Sequence, residues 1–482
     1  MSDYVNYNKL YKKLTYQLKV IDEYFSNISG ESIMGKELEA LAYAVEYDMF
    51  VNGLCILINL FENNTGSYGI DVNMRDLLES LSLTKAIVNN ELSDGQIALA
   101  LEARNYTSCE KLSYIYGFDI QVIIEENITK IRELLNISKE QVIKDFNTQF
   151  SFLKYGDKTK KMTASQFIEK QSGKDARIAR HFSSLNIHPA FYSYEINKTV
   201  EELRNVYINL TLQTLDRYMN NVNADYEKMP SYSASRKKAI SPEMDNKINN
   251  IKKIFKKTFA AKDNYSFSGE CATYVFKKVK EVLIDIYLCS NFLSLEEASS
   301  RFKIIYEYLS MFYAVKDDVN LMTLWQMVSD YNISTTDEEF HMDSDALLKD
   351  IAMIVKTKHS LDNKSLEDVK NELKKNSLYF LNADSKASYM QLVKKAIYGT
   401  YQVDSLKDRA YQLYRYSLND AHGGLSLVKS AIKIDSLHTK RKYFDYVLNY
   451  IYFVYYCCVL YKDQEIWENF ANFIYSLFQD DN

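Results

Sequence analysis

Arg415 and His422 stand seven residues apart, and on an α-helix that spacing is two turns, so both side chains leave one face about 10 Å apart along the axis. Asn419 lies between them at i+4, and Gly423-Gly424 then ends the helix, which leaves the histidine at a terminus rather than in mid-rod. A guanidinium, an amide and an imidazole on one patch are the groups that phosphodiester cleavage without a metal requires. The histidine, with an ordinary pKa near 6.5, moves a proton, and the arginine clamps the phosphate and offsets growing negative charge. The plain alternative is a surface Arg–His pair capping a helix end.

The first half of the chain carries a related set. Arg177, His181, Ser184 and His188 fall at i, i+4, i+7 and i+11, with Arg180 one step off that line. Pro189 disfavours helix at His188, so this histidine too is expected at a helix end. Lys158, Lys160, Lys161, Lys170 and Lys174 precede the set against Asp157, Glu169 and Asp175, a balance that suits a polyanion. A solvated helix with a capping histidine would read the same way.

Other constellations are weaker. Asp337, Glu338, Glu339, His341, Asp343 and Asp345 offer hard ligands for a divalent ion, but without EF-hand spacing, and an acidic helix start explains them as well. Lys440, Arg441 and Lys442, after His438, form a short basic run suited to phosphate contact or to a solvated helix end. Lys252, Lys253, Lys256 and Lys257 line one face of a helix whose other face is Ile251, Ile254, Phe255 and Phe259. No P-loop, dinucleotide fingerprint, GxSxG, HExxH or zinc spacing occurs, and no metal or cofactor is expected.

The elements that position these residues are expected to be helices. The chain has 482 residues with only 13 Gly and 3 Pro, too few for the tight turns of a β-sandwich or propeller. The net charge of −5 argues against a dedicated nucleic-acid binder, so any RNA site must be local. The six cysteines show no CxxC pair and read as core residues in a reducing compartment. The sequence after Met1 lacks a signal-like apolar stretch, and the apolar run Tyr446 to Tyr461 holds Asn449 and six tyrosines and is too short to span a bilayer; the expected location is cytoplasmic, without membrane contact.

Pro230, Pro242 and the run Ser231 to Ser235 mark a linker, 223–244, between a helical domain at 1–222 and a second at 245–482. Helix-start signals recur at Ser138/Gln141, Thr163/Gln166, Ser294/Glu297, Thr335/Glu338 and Ser405/Asp408. Only Tyr68 to Val72 and Phe118 to Ile124 look strand-like. The near-equal halves suggest an internal duplication. Residues 181–189 lie without gaps on 415–423, pairing Ser183 with Ser417 and His188 with His422. The reading is an all-α protein of two tandem helical-bundle halves.

The Arg415-x6-His422 segment resembles the R-x4–6-H motif of the HEPN superfamily, all-helical proteins that are often metal-independent RNases of toxin and antiviral abortive-infection systems. The resemblance implies an endoribonuclease that cleaves RNA by 2′-hydroxyl attack. Arg415 would bind the scissile phosphate, His422 would move the proton, and Asn419 would orient one of them. Family members act as dimers with two motifs facing one cleft, which two tandem halves would build in one chain; Arg180 and His188 would form the partner site, with Arg177, His181 and the Lys440–Lys442 run contacting RNA. Tyr416 departs from the polar residue that often follows the family's arginine, and the ungapped overlay puts His181 where arginine belongs. The rival reading is a non-catalytic helical scaffold subunit that binds a protein or RNA partner, or a second copy of itself.

Overall fold

The computed structural model describes residues 5–26, 54, 67–100, 121–146, 150–156, 162–220, 226–231, 246, 249–250, 252–253, 267–292, 295–337, 340, 342–401 and 403–420. Among these the protein is all-α, with no strand. The first half holds α1 (Tyr7–Ser26), α2 (Ser67–Val88), α3 (Gln121–Leu135), α4 (Lys139–Phe146), α5 (Ala164–Ser172), α6 (Lys174–Asn186) and α7 (Tyr194–Met219). The second holds α8 (Phe267–Phe292), α9 (Leu295–Val315), α10 (Val319–Ser334), α11 (Ser344–Lys358), α12 (Leu366–Lys375), α13 (Tyr379–Asn382), α14 (Tyr389–Thr400) and α15 (Asp404–Asp420).

Local chemistry explains most helix ends. Thr163 and Gln166 form a reciprocal capping box on α5, Ser365 and Asp368 do so on α12, and Ser388 and Gln391 on α14. The Ser138 hydroxyl accepts the Gln141 N–H at 3.2 Å at the start of α4. With glycine scarce, Asn90 and Asn136 adopt the left-handed conformation after α2 and α3 (φ 53° each), which asparagine tolerates better than most residues. Gly173 (φ 94°) makes the one-residue corner between α5 and α6.

Several expectations are corrected. Tyr68 to Val72 lies inside α2, and residues 121–124 of the second strand-like run open α3. Thr335 ends α10 rather than starting a helix; the start comes at Asp343, whose carboxylate accepts the Ala346 N–H at 2.9 Å. Ser405 sits within α15, which begins at Asp404. Ser294 lies outside the described residues.

Two helices form the centre. From Gly69 to Ile87, α2 is buried except at Asp76 and Lys85, and α9 is buried from Arg301 to Phe312. α2 is packed by α5, α6 and α7, and α9 by α8, α14 and α15. One hydrophobic cluster runs from Leu10 of α1 to Tyr414 of α15, so residues of both halves share a continuous core.

Candidate functional site

Both central helices carry charges into that core. Arg75 and Glu79 of α2 are each 1% exposed, and Lys303 and Glu307 of α9 are 1% and 0%. Each pair is a cation followed four residues later by an anion, one helical turn apart. Burying such groups costs several kcal/mol per ion unless partners surround them, so their placement requires explanation.

The partners come from the helices singled out above. Arg180 of α6 donates to Glu79 Oε1 through Nε at 2.9 Å and Nη2 at 2.7 Å. Tyr414 of α15 donates its hydroxyl to Glu307 Oε1 at 3.0 Å. Gapless overlay of the motif segments pairs Arg180 with Tyr414, and overlay of the two central helices pairs Glu79 with Glu307 and Ser82 with Ser310. Ser183 and Ser417 are both fully buried, each donating to a carbonyl of its own helix.

Glu307 is where the halves meet. Its Oε2 lies 3.2 Å from His188 Nδ1 and 3.8 Å from Lys303 Nζ, while Oε1 takes the Tyr414 hydroxyl. Burial pushes the Glu307 carboxyl up, but Lys303, His188 and Tyr414 together outweigh it and hold the group below its ordinary range. A charged carboxylate only accepts hydrogen bonds, so Nδ1 of His188 carries the proton. Burial, then the charge of Lys303, lowers the His188 pKa against the opposing pull of Glu307, which favours the neutral ring at pH 7 with its lone pair on Nε2. The side chain keeps 37% of its surface in solvent, and its ring stacks on Tyr389 of α14 at 5.1 Å and 11°. The ring is thus oriented through Nδ1 by a carboxylate, an arrangement that can support an imidazole acting as a base.

The segment after it is fixed by the second half. The Ala190 N–H donates to the Tyr308 hydroxyl, Phe191 N–H to Ser329 Oγ and Ser193 N–H to Asp330, while the Pro189 carbonyl accepts the Trp325 indole N–H. His188 stands beyond the end of α6 at Asn186, so the i+11 register does not place it on the helix face.

The candidate arginines differ in their engagement. Arg177 pairs with Glu169 at 2.9 Å, and Arg180 is committed to Glu79. Arg415, partly buried on α15, donates only to the Gln412 side chain at 3.2 Å and holds no carboxylate among the described residues. It alone of the three has no carboxylate partner among the described residues. Burial and the charges of Arg180 and Arg177 lower the His181 pKa. Asn419 lies in α15; His422, Lys440, Arg441 and Lys442 lie outside the described residues. Of the acidic run, Asp337 takes the Tyr207 hydroxyl and Asp343 caps α11, and among the described residues no three His, Cys, Asp or Glu side chains converge.

Glu307, Lys303, Tyr414 and Tyr389 were not anticipated from the sequence. The available signal was a cation and an anion at i,i+4 within leucine- and aromatic-rich helical runs, Met74 to Leu83 and Phe302 to Phe312.

A second buried cluster ties α8 to α2. Asp285 accepts the Gly69 N–H at 2.9 Å, and its other oxygen has no hydrogen-bond partner among the described residues. Burial drives its pKa up to about 8, opposed by Arg301. A folded-state pKa above the unfolded one gives stability that is complete below about pH 4 and lost as pH rises through 8. Asp285→Asn keeps an acceptor for Gly69 and removes the charge. Its stability gain over the parent should therefore grow from pH 5 to pH 8, reaching on the order of 1–2 kcal/mol after local relaxation. Urea melts across that range check the slope; a gain independent of pH would contradict the assignment.

Among the described residues no helix is long and apolar enough to cross a membrane. Comparison of the chain with protein-family models, curated proteins and solved structures finds no match.

Proposed function

We propose that the protein is a metal-independent endoribonuclease of HEPN type, with an internal duplication whose two halves contribute to one site. The observation that carries this reading is the sharing of one carboxylate. Glu307 holds His188 of the first half on one oxygen and Tyr414, the neighbour of Arg415, on the other. Neutral His188 takes the proton of a ribose 2′-hydroxyl on Nε2, the 2′-oxygen attacks phosphorus, and the 5′-oxygen leaves with a proton from an acid group, leaving a 2′,3′-cyclic phosphate. Arg415 binds the phosphate and offsets the charge gained in the transition state. His422 and Asn419 complete the second-half motif in the acid and orienting roles. By the same resemblance the cellular role is toxin-like or antiviral growth arrest in the cytoplasm.

Purified protein is expected to cut RNA in EDTA and to leave 2′,3′-cyclic or 3′-phosphate ends, with Arg415→Ala removing most cleavage while the melting temperature holds. End-group analysis of the products decides it. Cleavage that EDTA abolishes and Mg²⁺ or Mn²⁺ restores, or 5′-phosphate ends, sinks the proposal.

One observation favours a second reading, a non-catalytic helical subunit that binds a partner. Arg75, Glu79, Lys303, Glu307 and Tyr414 are fully buried, and Arg75 and Lys303 are matched by Glu79 and Glu307. A network of this kind can serve only to fix how the halves pack. Absence of any RNA cleavage by the wild-type protein selects that reading.

A further inference from the structure

Away from the Glu307 cluster, α9, α10, α13 and α14 enclose a cleft of about 270 Å³. Its walls are mostly apolar, with Leu321, Leu378, Leu381, Leu392 and the ring of Tyr313 among the lining residues. Among the described residues its only charged lining residue is Lys395, with no Asp or Glu in the wall.

Three rim side chains, Asn382, Gln391 and Lys395, present donors. The Asn382 side-chain oxygen accepts the Asp384 N–H at 3.2 Å, and the Gln391 oxygen accepts the Ser388 N–H at 3.1 Å as half of the α14 capping box. Local turns thus use both amide oxygens, which also fixes which end of each amide is which. The two NH₂ groups are left over, and neither they nor the Lys395 ammonium has a partner among the described residues. The two amides and the ammonium thus present donors and one positive charge to the cleft, beside the Ser388 and Tyr313 hydroxyls, which can donate or accept. The aromatic wall is also provided for: a Cβ on Gly399 would stand 3.2 Å from the Tyr313 hydroxyl, so glycine in the last turn of α14 leaves the tyrosine its place. Lys316 Nζ stands 5.8 Å from the centre of the same ring.

We infer that this cleft is a binding site for a small amphipathic anion: an apolar body between Leu321, Leu392 and Tyr313, and a carboxylate or phosphate head taken by Lys395, Gln391 and Asn382. A head of this kind only accepts hydrogen bonds and carries the opposite charge, so it can replace the water around these three exposed donors with charge-assisted bonds. The apolar walls recover the cost of desolvating the body. The inference stands apart from the nuclease reading, since it uses neither Arg415 nor His188.

The test is isothermal titration of the full-length protein with two probes, octanoate and uridine monophosphate. Saturable binding of either is expected, weakened roughly tenfold or more by Lys395→Glu, the scale of one charged hydrogen bond. Lys395 is exposed, so this variant keeps its fold, which far-UV circular dichroism verifies. Leu392→Trp, which fills the cleft, is expected to block the same binding. Octanoate as the tighter probe identifies an aliphatic carboxylate as the occupant, and the nucleotide as the tighter probe identifies a phosphate on a planar body. Failure of both probes to bind saturably, or binding left unchanged by Lys395→Glu, overturns the inference.

Discussion

Replacing His188 with alanine is expected to lower RNA cleavage about 10²–10⁴-fold, the usual cost of losing a general base. The same substitution should cost little stability. The ring is partly in solvent, and its removal leaves Glu307 with Lys303 and Tyr414 as partners. The pH profile adds a readout that a packing role would not move. Because the His188 pKa is lowered, the neutral base is the major form at pH 7, and wild-type cleavage should fall only on the acid side of the ordinary histidine value of 6.5. Glu307→Gln removes the charge that supports a protonated ring and loosens the Nδ1 tethering, so the acid limb should move further down and the maximal rate should drop. A His188→Ala enzyme with wild-type rate would exclude this residue from the chemistry, whatever the second half does.

Glu307→Ala is expected to be among the most destabilising single substitutions in the protein, by about 3–5 kcal/mol, the range found when one partner of a buried ion pair is removed. Lys303 Nζ is buried, lies 3.8 Å from Glu307 and makes no hydrogen bond among the described residues. At that distance an effective dielectric of 20 gives an attraction of about 4 kcal/mol, and the alanine variant forfeits it while leaving the ammonium in the core. The Tyr414 hydroxyl loses its acceptor as well. A double variant, Lys303→Met with Glu307→Leu, removes both charges at similar volume and should recover most of the loss, as replacement of buried ion pairs by apolar groups commonly does. Equilibrium urea unfolding of the three proteins checks the order. If the double variant were as unstable as Glu307→Ala, the loss would lie in packing and hydrogen bonding around Glu307 rather than in a stranded charge.

The pairing of Glu79 with Arg180 and of Glu307 with Tyr414 bears on how the two halves relate. In each case a glutamate one turn after a buried cation on a central helix takes a donor from the helix carrying the motif segment. The first half spends its arginine on this structural bond, and the second half uses tyrosine there and keeps Arg415 one position later. Under the proposed duplication and nuclease reading, this exchange would explain why the arginine assigned to the phosphate falls in the second half while the first supplies His188.

What the sequence by itself determined was local. Few glycines and prolines exclude a turn-rich fold, and the described chain is helical throughout its regular structure. The Thr163/Gln166 box marks the start of α5 because its bonds span three residues and need nothing from elsewhere. Tyr68 to Val72 misled for the complementary reason: α2 is buried on nearly every side, so its sequence lacks the apolar–polar periodicity that separates helix from strand. Thr335 shows the limit of a cap pattern, since an acceptor with a partner three residues on marks a start only where the chain is free to begin a helix, and at Thr335 it is ending one. The candidate site was legible as two basic, histidine-bearing segments, but not as a joint structure. His188 and Glu307 are 119 residues apart, and whether they meet depends on α6, α9 and α15 packing into one core. Tertiary structure also decided which arginine is committed, because Arg180 and Arg415 look alike in sequence until Glu79, 101 residues from Arg180, pairs with the first of them. Charge and spacing name the groups able to do chemistry; only the packing of distant helices sets which are desolvated, which are paired and which still face an incoming anion.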